Sequence, residues 1–349
     1  MPPRFLFIAP QGLGDSLQVT PLLPGLREAL PDAVIDVVTL RPSSENLFRG
    51  LDGLVNNVYY LPFWAKGRAA FALALLRFVA FNRYDASFLA YPAARWEYQL
   101  LHALVRSRKR FAHDYSGPWR LDGVPGLKTH RLPVAPGVSN VARNETLLCA
   151  AVPAAKRAAS YRVPPDWKSA PLDPALDGAV VVHVGSINHD TFAAKRWPLQ
   201  SFVAFARRMT ARERTVVYLC GPDERDETHE ALAATPGARH FEGSLRETTS
   251  LLARASLVVT NDSGVGHLAV AVGAKTISLF GPTPIEFAPY GPTAAPLRPT
   301  ACPPCFDVLT SDMTCKRNID YACLRNDLSV DLVERTALAQ LGLVAQPPA

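Results

Sequence analysis

The sequence predicts an α/β protein made of two doubly wound, Rossmann-like parallel-sheet domains. Three observations predict it. Short, uncharged, β-branched runs alternate with segments whose apolar residues recur at helical spacing, as in successive β-α-β units. That alternation breaks over residues 153–174, a stretch rich in proline, small residues and charge, and then restarts. The polar clusters that could carry chemistry fall where apolar runs end, the edge at which doubly wound sheets bind ligands.

In chain order, residues 4–10 read as a first strand, followed by a helix over 16–30. Residues 33–40 and 57–62 read as further strands. A helix over 69–81 precedes a strand at 84–92 and a helix at 95–105. After the break, residues 179–186 form a strand, 199–210 a helix, 214–221 a strand, and 223–234 and 246–253 helices. A buried strand over 255–260, a helix from 267 and a strand at 275–283 complete the pattern. The expected domains are 1–168 and 169–349, with a cleft between them.

At 349 residues the chain exceeds one typical core, and 48% hydrophobic with 19% charged residues describes a globular protein. The first apolar stretch runs into Gly12 and reads as a strand, so no signal peptide is expected. The 69–81 segment is too short to span a bilayer and reads as a half-buried core helix. Cys149 and Cys220 read as core residues of a protein in a reducing compartment. The net charge of +6 is partly concentrated in "RSRKR", Arg106 to Arg110. Such a basic face suits an anionic membrane surface or a phosphorylated substrate. Without a helix-turn-helix, zinc-finger or aromatic RNA-binding pattern, nucleic acid ranks last.

Four motifs stand at strand ends. In "PQGLGDSLQ", Gly12 and Gly14 let the chain turn from strand to helix and Asp15 falls in the first helical turn. The third glycine of a dinucleotide fingerprint is missing, and the next strand ends without an acidic residue for a ribose. Asp15 is then either a helix cap or a carboxylate placed as a general base. In "AAKRWP", Lys195 and Arg196 precede a helix opening at Pro198; they suit a diphosphate, or are a solvated pair. In "CGPDERDE", Glu224 could accept hydrogen bonds from ribose hydroxyls or favour a helix start. In "NDSGVGHLAV", Asp262, Ser263, Gly264, Gly266 and His267 join a buried strand to a helix. The amides of such a turn, its small residues and a histidine donor would receive a phosphate.

Together, "GLGDSLQVTPLL", "AAKRWP" and "NDSGVGHLAVAVGAKTISLFGPT" resemble glycosyltransferase family 9, the ADP-heptose-dependent heptosyltransferases of lipopolysaccharide core synthesis. The resemblance runs in order along nearly the whole chain. It implies the GT-B fold, with acceptor bound mainly by the first domain, nucleotide sugar by the second, and a C-terminal helix over 331–342 returning to the first. It makes Asp15 the general base of an inverting transfer and Lys195 the cation that neutralises the diphosphate. Asp262, Ser263, Gly264, Gly266 and His267 become the donor turn, with Glu224 a looser match. Asn261 and Val265 depart from the commoner pattern and leave the donor's base and sugar open.

Gly14 and the cations Arg106, Arg108, Lys109 and Arg110 are the expected acceptor contacts, for a lipid-linked glycan at the cytoplasmic face of the inner membrane. Alternatives are another glycan or a protein hydroxyl as acceptor, epimerisation of the donor, or a non-enzymatic nucleotide-sugar-binding subunit. The resemblance implies no divalent metal for transfer. Cys302, Cys305, Cys315 and Cys323 begin with a Cys-x2-Cys spacing. They either stay as thiols or hold a structural zinc or iron, as the cysteine finger of some family members does.

Overall fold

The computed structural model describes residues 1–63, 68–115, 129–186, 194–221, 223–310 and 312–343, with only the backbone of Arg68. The chain divides into two compact units, Met1–Pro164 with Val308–Thr310, and Pro165–Asp307 with Ser311–Ala349. The second unit begins four residues before the expected boundary. The turn Pro165–Ser169 docks on a helix of that unit, where Ser250 Oγ donates to the carbonyl of Ala170 at 2.8 Å.

The first unit holds strands β1 (Arg4–Ala9), β2 (Val34–Thr39), β3 (Asn57–Tyr60), β4 (Tyr84–Leu89), β5 (Ser107–Asp114) and β6 (His130–Pro133). Its helices are α1 (Leu13–Leu17), α2 (Leu22–Ala29), α3 (Pro42–Arg49), α4 (Arg68–Phe81), α5 (Trp96–Leu104) and α6 (Asn140–Ala151). All strand pairs are parallel, in the order β3-β2-β1-β4-β5-β6. Both faces are covered, which is why β1 is a continuous apolar run and not an alternating one. Phe5, Phe7 and Ala9 pack with Phe88 and Phe111 on one side, while Leu6 and Ile8 pack with Leu89 and Ala112 on the other. The single helix expected over 16–30 is two, α1 and α2, joined by a turn at Thr20 and Pro21.

The second unit holds β7 (Val180–His183), β8 (Val216–Cys220), β9 (Arg239–Glu242), β10 (Leu257–Asn261), β11 (Thr276–Leu279) and β12 (Ala294–Leu297). Its helices are α7 (Leu199–Thr210), α8 (Arg225–Ala233), α9 (Leu245–Arg254), α10 (Gly264–Ala271), α11 (Ala322–Asn326) and α12 (Val330–Leu341). Its parallel sheet has the order β12-β11-β10-β7-β8-β9. In each sheet the first and fourth strands are neighbours, so the chain reverses direction of winding between β1 and β4 and again between β7 and β10. Ligands of such folds bind outside the carboxyl ends at that point. Helix α12, expected to return to the first domain, makes its described contacts in the second unit. It packs on α7, where Arg208 and Arg212 pair with Glu334 at 2.7 and 2.8 Å.

No helix among the described residues is long and apolar enough to cross a membrane. Helix α4 is half-buried, as expected, but its outward side is apolar too. Phe71, Leu75, Phe78 and Val79 face the sheet, but Leu73, Leu76 and Phe81 are 50, 68 and 83% exposed.

Candidate active site

In the first unit, the turn after β1 carries Asp15 in the first turn of α1, with Gly12 as the residue before that helix. No side chain caps α1, so Asp15 is not its N-cap residue. The Gln18 amide donates to Asp15 Oδ1 at 3.5 Å, and Asp15 lines a small hollow with Gln11, Ala90 and Tyr91, at the carboxyl ends of β1 and β4. Gly14 lies in the same turn of α1.

The basic stretch is elsewhere. Arg106 and Arg108 stand at the start of β5, beside the starts of β1 and β4, and so at the amino edge of the sheet. A six-residue strand such as β1 separates that edge from Asp15 by about 20 Å. Nor do the four cations make one face. Arg110 is buried, donating through Nη2 to the Val105 carbonyl at 2.6 Å and through Nε to that of His102 at 3.3 Å. It satisfies the last carbonyls of α5. Arg108 pairs with Asp85 at 3.3 Å, and Lys109 is exposed. Strand alternation, which sends successive side chains to opposite faces, scatters what the sequence places together.

In the second unit, the exits of β7, β8 and β10 converge. Lys195 Nζ lies 2.6 Å from Asp262 Oδ2, and the two side chains are only 13 and 8% exposed. Asn261, fully buried, holds this pair's surroundings. Its Oδ1 accepts the Trp197 backbone N–H at 2.8 Å, and its Nδ2 donates to the carbonyls of Val184 at 2.8 Å and Gly185 at 3.3 Å. One amide side chain therefore joins the β7 exit, the Lys195 loop and the β10 turn. The sequence marked Asn261 only as a departure from a pattern. Its position at the end of an uncharged, β-branched strand was the available signal. Residues 187–193, the rest of the loop, lie outside the described residues.

Ser263 precedes α10, but its side chain does not cap the helix. Ser263 Oγ instead lies 3.0 Å from Thr260 Oγ1. The first amides of α10, beginning at Gly264, thus have no side-chain cap, and the positive end of the helix dipole adds to their pull on an anion. Gly266 is closely packed. A Cβ there would meet Ser278 Oγ at 2.9 Å and Thr260 Cγ2 at 3.1 Å. His267 is buried and hydrogen-bonded to the Phe287 backbone. Burial pushes its pKa down to about 4, helped by Lys195 and opposed by Asp262, so the ring is neutral. It anchors the segment after β11 and brings no positive charge to the turn.

Glu224, just before α8, is also buried. Its Oε1 accepts the Gly221 N–H at 2.9 Å and faces His183 Nε2 at 2.9 Å, while His183 Nδ1 lies 2.9 Å from Thr260 Oγ1. Burial opposes the carboxylate's charge, but the hydrogen bonds from His183 and Gly221 prevail and hold its pKa below the ordinary value. The carboxyl fits only because its neighbours are glycines. A Cβ on Gly185 would stand 2.4 Å from Glu224 Cδ, and one on Gly221 2.5 Å from Oε1. His183, which links Glu224 to the β10 turn, went unnoticed in the sequence because it ends an apolar strand.

The cysteine cluster does not form the closed tetrahedral set that its spacing suggests. Arg317 donates to Cys302 Sγ at 3.2 Å, Cys323 is hydrogen-bonded to Cys302, and Cys315 lies among the backbone amides of residues 317–321. Among the described residues, three donor atoms lie within 4.8 Å of one another at Cys220, His240 and Glu242 instead. There Glu242 already pairs with Arg225.

Known proteins resemble this chain in sequence and in fold. The chain is 28% identical over 292 residues to lipopolysaccharide heptosyltransferase 3 of Escherichia coli, covering 77% of this chain and 81% of that one. Its fold is shared with E. coli heptosyltransferase WaaC with ADP, at TM-score 0.71 and 17% identity, over 97% of this chain and 99% of the other. It is shared also with the family 9 glycosyltransferase of Veillonella parvula, at TM-score 0.74 and 16% identity, over 98% of both. These are GT-B structures, as the resemblance implied. The family model of glycosyltransferase family 9 (heptosyltransferase) matches residues 107–314, more than half of the chain, from β5 through the turn after β10 into the cysteine loop. With its two sheets wound alike and its polar turns at their switch points, this chain belongs to glycosyltransferase family 9 and is a glycosyltransferase.

Proposed function

We propose that this enzyme transfers a heptose from ADP-heptose to a lipopolysaccharide core acceptor, inverting the anomeric centre, at the cytoplasmic face of the inner membrane. The observation that carries the reading is the buried Lys195–Asp262 pair, held by Asn261 at the amino end of α10. The relative named as a lipopolysaccharide heptosyltransferase and the neighbour solved with ADP support the substrate class.

In this reading the first unit binds the acceptor beside Gly14, and Asp15 takes the proton of its hydroxyl as that oxygen bonds to the anomeric carbon. The bond from the anomeric carbon to the diphosphate oxygen breaks, and ADP leaves with the electron pair. Lys195 meets the charge that develops on the diphosphate, while Asp262 fixes where the ammonium stands. The amides of Ser263 and Gly264 and the dipole of α10 take up the remainder. Glu224, kept ionised, accepts the ribose hydroxyls. The chain's own cation and helix dipole supply the electrostatic stabilisation, so the reading gives transfer no metal.

Calorimetric titration of ADP, UDP and GDP tests the donor, with Lys195→Ala alongside. Selective binding of ADP, weakened in the variant, is expected; preference for UDP or GDP overturns ADP-heptose. Asp15→Asn should retain ADP binding and lose transfer to truncated core lipid. Full transfer by that variant removes Asp15 as the base.

A further inference from the structure

Helix α4 has two apolar stripes where folding needs one. Phe71, Leu75, Phe78 and Val79 face the sheet. Ala69, Ala72, Leu73, Leu76 and Ala80 recur at helical spacing along the outward side and are exposed, ending at Phe81. The helix contains no acidic residue. Helix α5 packs against the same sheet face and adds Leu100 and Leu104, 38 and 42% exposed. Two helices on one sheet face thus turn apolar side chains to solvent, which a monomeric domain rarely does without use.

Cations rim this surface. Arg77 emerges within the outward stripe of α4. Arg83 lies two residues beyond Phe81, and Arg106 donates to the Ala80 carbonyl at 2.8 Å, joining the apolar tip to the amino edge of the sheet. There Arg4, Arg83, Arg106, Arg108 and Arg110 line a hollow of about 810 Å³ whose acidic lining residue is Asp85. An apolar strip with long cationic side chains at its border matches the boundary between acyl chains and anionic headgroups. A second copy of the chain matches it less well, because a twofold contact would set these arginines against each other.

We propose that the outward face of α4 and α5, with the arginines at its amino edge, seats this enzyme on a bilayer bearing anionic lipids. The 14-residue helix, about 21 Å long, lies in the interface and does not cross it. This extends the lipid-linked acceptor of the proposed function by naming the surface that meets the membrane.

The test is flotation of the full chain with phosphatidylcholine vesicles, with and without phosphatidylglycerol. Two variants lie outside the proposed substrate sites: Leu76→Glu with Phe81→Glu, and Arg77→Gln with Arg83→Gln. The parent should float with the anionic vesicles and be released by salt. The apolar pair should lower partitioning at least tenfold, and each lost arginine about fivefold, with ADP titration and helical content unchanged. Undiminished binding of the variants overturns the proposal. So does a parent that ignores anionic vesicles, or one that sediments as a dimer dispersed by Leu76→Glu. A parent that binds ADP but not vesicles sinks the membrane seat and spares the transferase reading. Binding to vesicles but not to ADP does the reverse.

Discussion

The Lys195 ammonium and the Asp262 carboxylate lie 2.6 Å apart, both nearly withdrawn from water. A pair so placed is poor support for stability in itself, but removing one partner strands the other. Lys195→Ala and Asp262→Ala should each cost roughly 3–5 kcal/mol of unfolding free energy, and the double variant clearly less than their sum. Denaturant unfolding of the four proteins checks this; additive losses would show that the two groups do not depend on each other. Activity should behave differently, with Lys195→Ala and the double variant both losing about 10²–10³-fold in turnover.

Two buried rings give the fold a marked acid limb. Burial pushes His267 down to about 4, and burial and then Arg110 push His102 down to about 3, from a usual value of 6.5. The unfolded chain therefore binds more protons than the folded one below about pH 6.5. This stability is fully present above that pH and is lost as pH falls towards the folded values. Each ring should contribute a slope of up to about 1.4 kcal/mol per pH unit. Unfolding measured from pH 7 to 4 should show a shallower slope in His267→Gln and in His102→Gln. An unchanged slope in both would mean that the rings are protonated when folded.

Glu224 and Gly185 occupy one space. Gly185→Ala should destabilise by about 1–3 kcal/mol through overpacking and weaken ADP binding by displacing the carboxyl. In a Glu224→Ala background the same change should cost little, because the atom at 2.4 Å is gone. Equal cost in both backgrounds, by thermal unfolding, would place the clash elsewhere.

Gly25 sets helix propensity against packing. Replacing a helical glycine by alanine ordinarily gains about 0.5–1 kcal/mol. In α2, however, a Cβ at Gly25 would fall 1.7 Å from the Lys156 carbonyl oxygen. Gly25→Ala should therefore lower the denaturant midpoint, and a raised midpoint would show that the segment at Lys156 yields readily.

The alternation of β-branched and helical segments made both sheets legible, because strands buried on two faces must be apolar throughout. It failed at the margins. Strand β5 opens on Ser107, Arg108 and Lys109, whose charge reads as a basic face, and only Phe111 onward looks like a strand. Strands β9 and β12 are short edge segments, "RHFE" and "AAPL", carrying little of the pattern. At the site, the sequence singled out residues whose chemistry is conspicuous: Asp15, Lys195, Glu224 and Asp262. It passed over His183 and Asn261, whose importance comes from partners in other strands and loops. It also grouped His267 and Gly266 with these, and in the structure the ring is buried and the glycine is closely packed.

The Trp197 indole, two residues beyond Lys195, donates to the Leu328 carbonyl at 2.7 Å, just ahead of α12. The segment leading into α12 thus helps brace the loop that carries the cation, although more than a hundred residues of sequence lie between them. A chain without this segment has the turn after β10 but lacks the brace. Cleavage of the chain ahead of Leu328 should therefore loosen the loop of Lys195 before it disturbs any strand of the sheet.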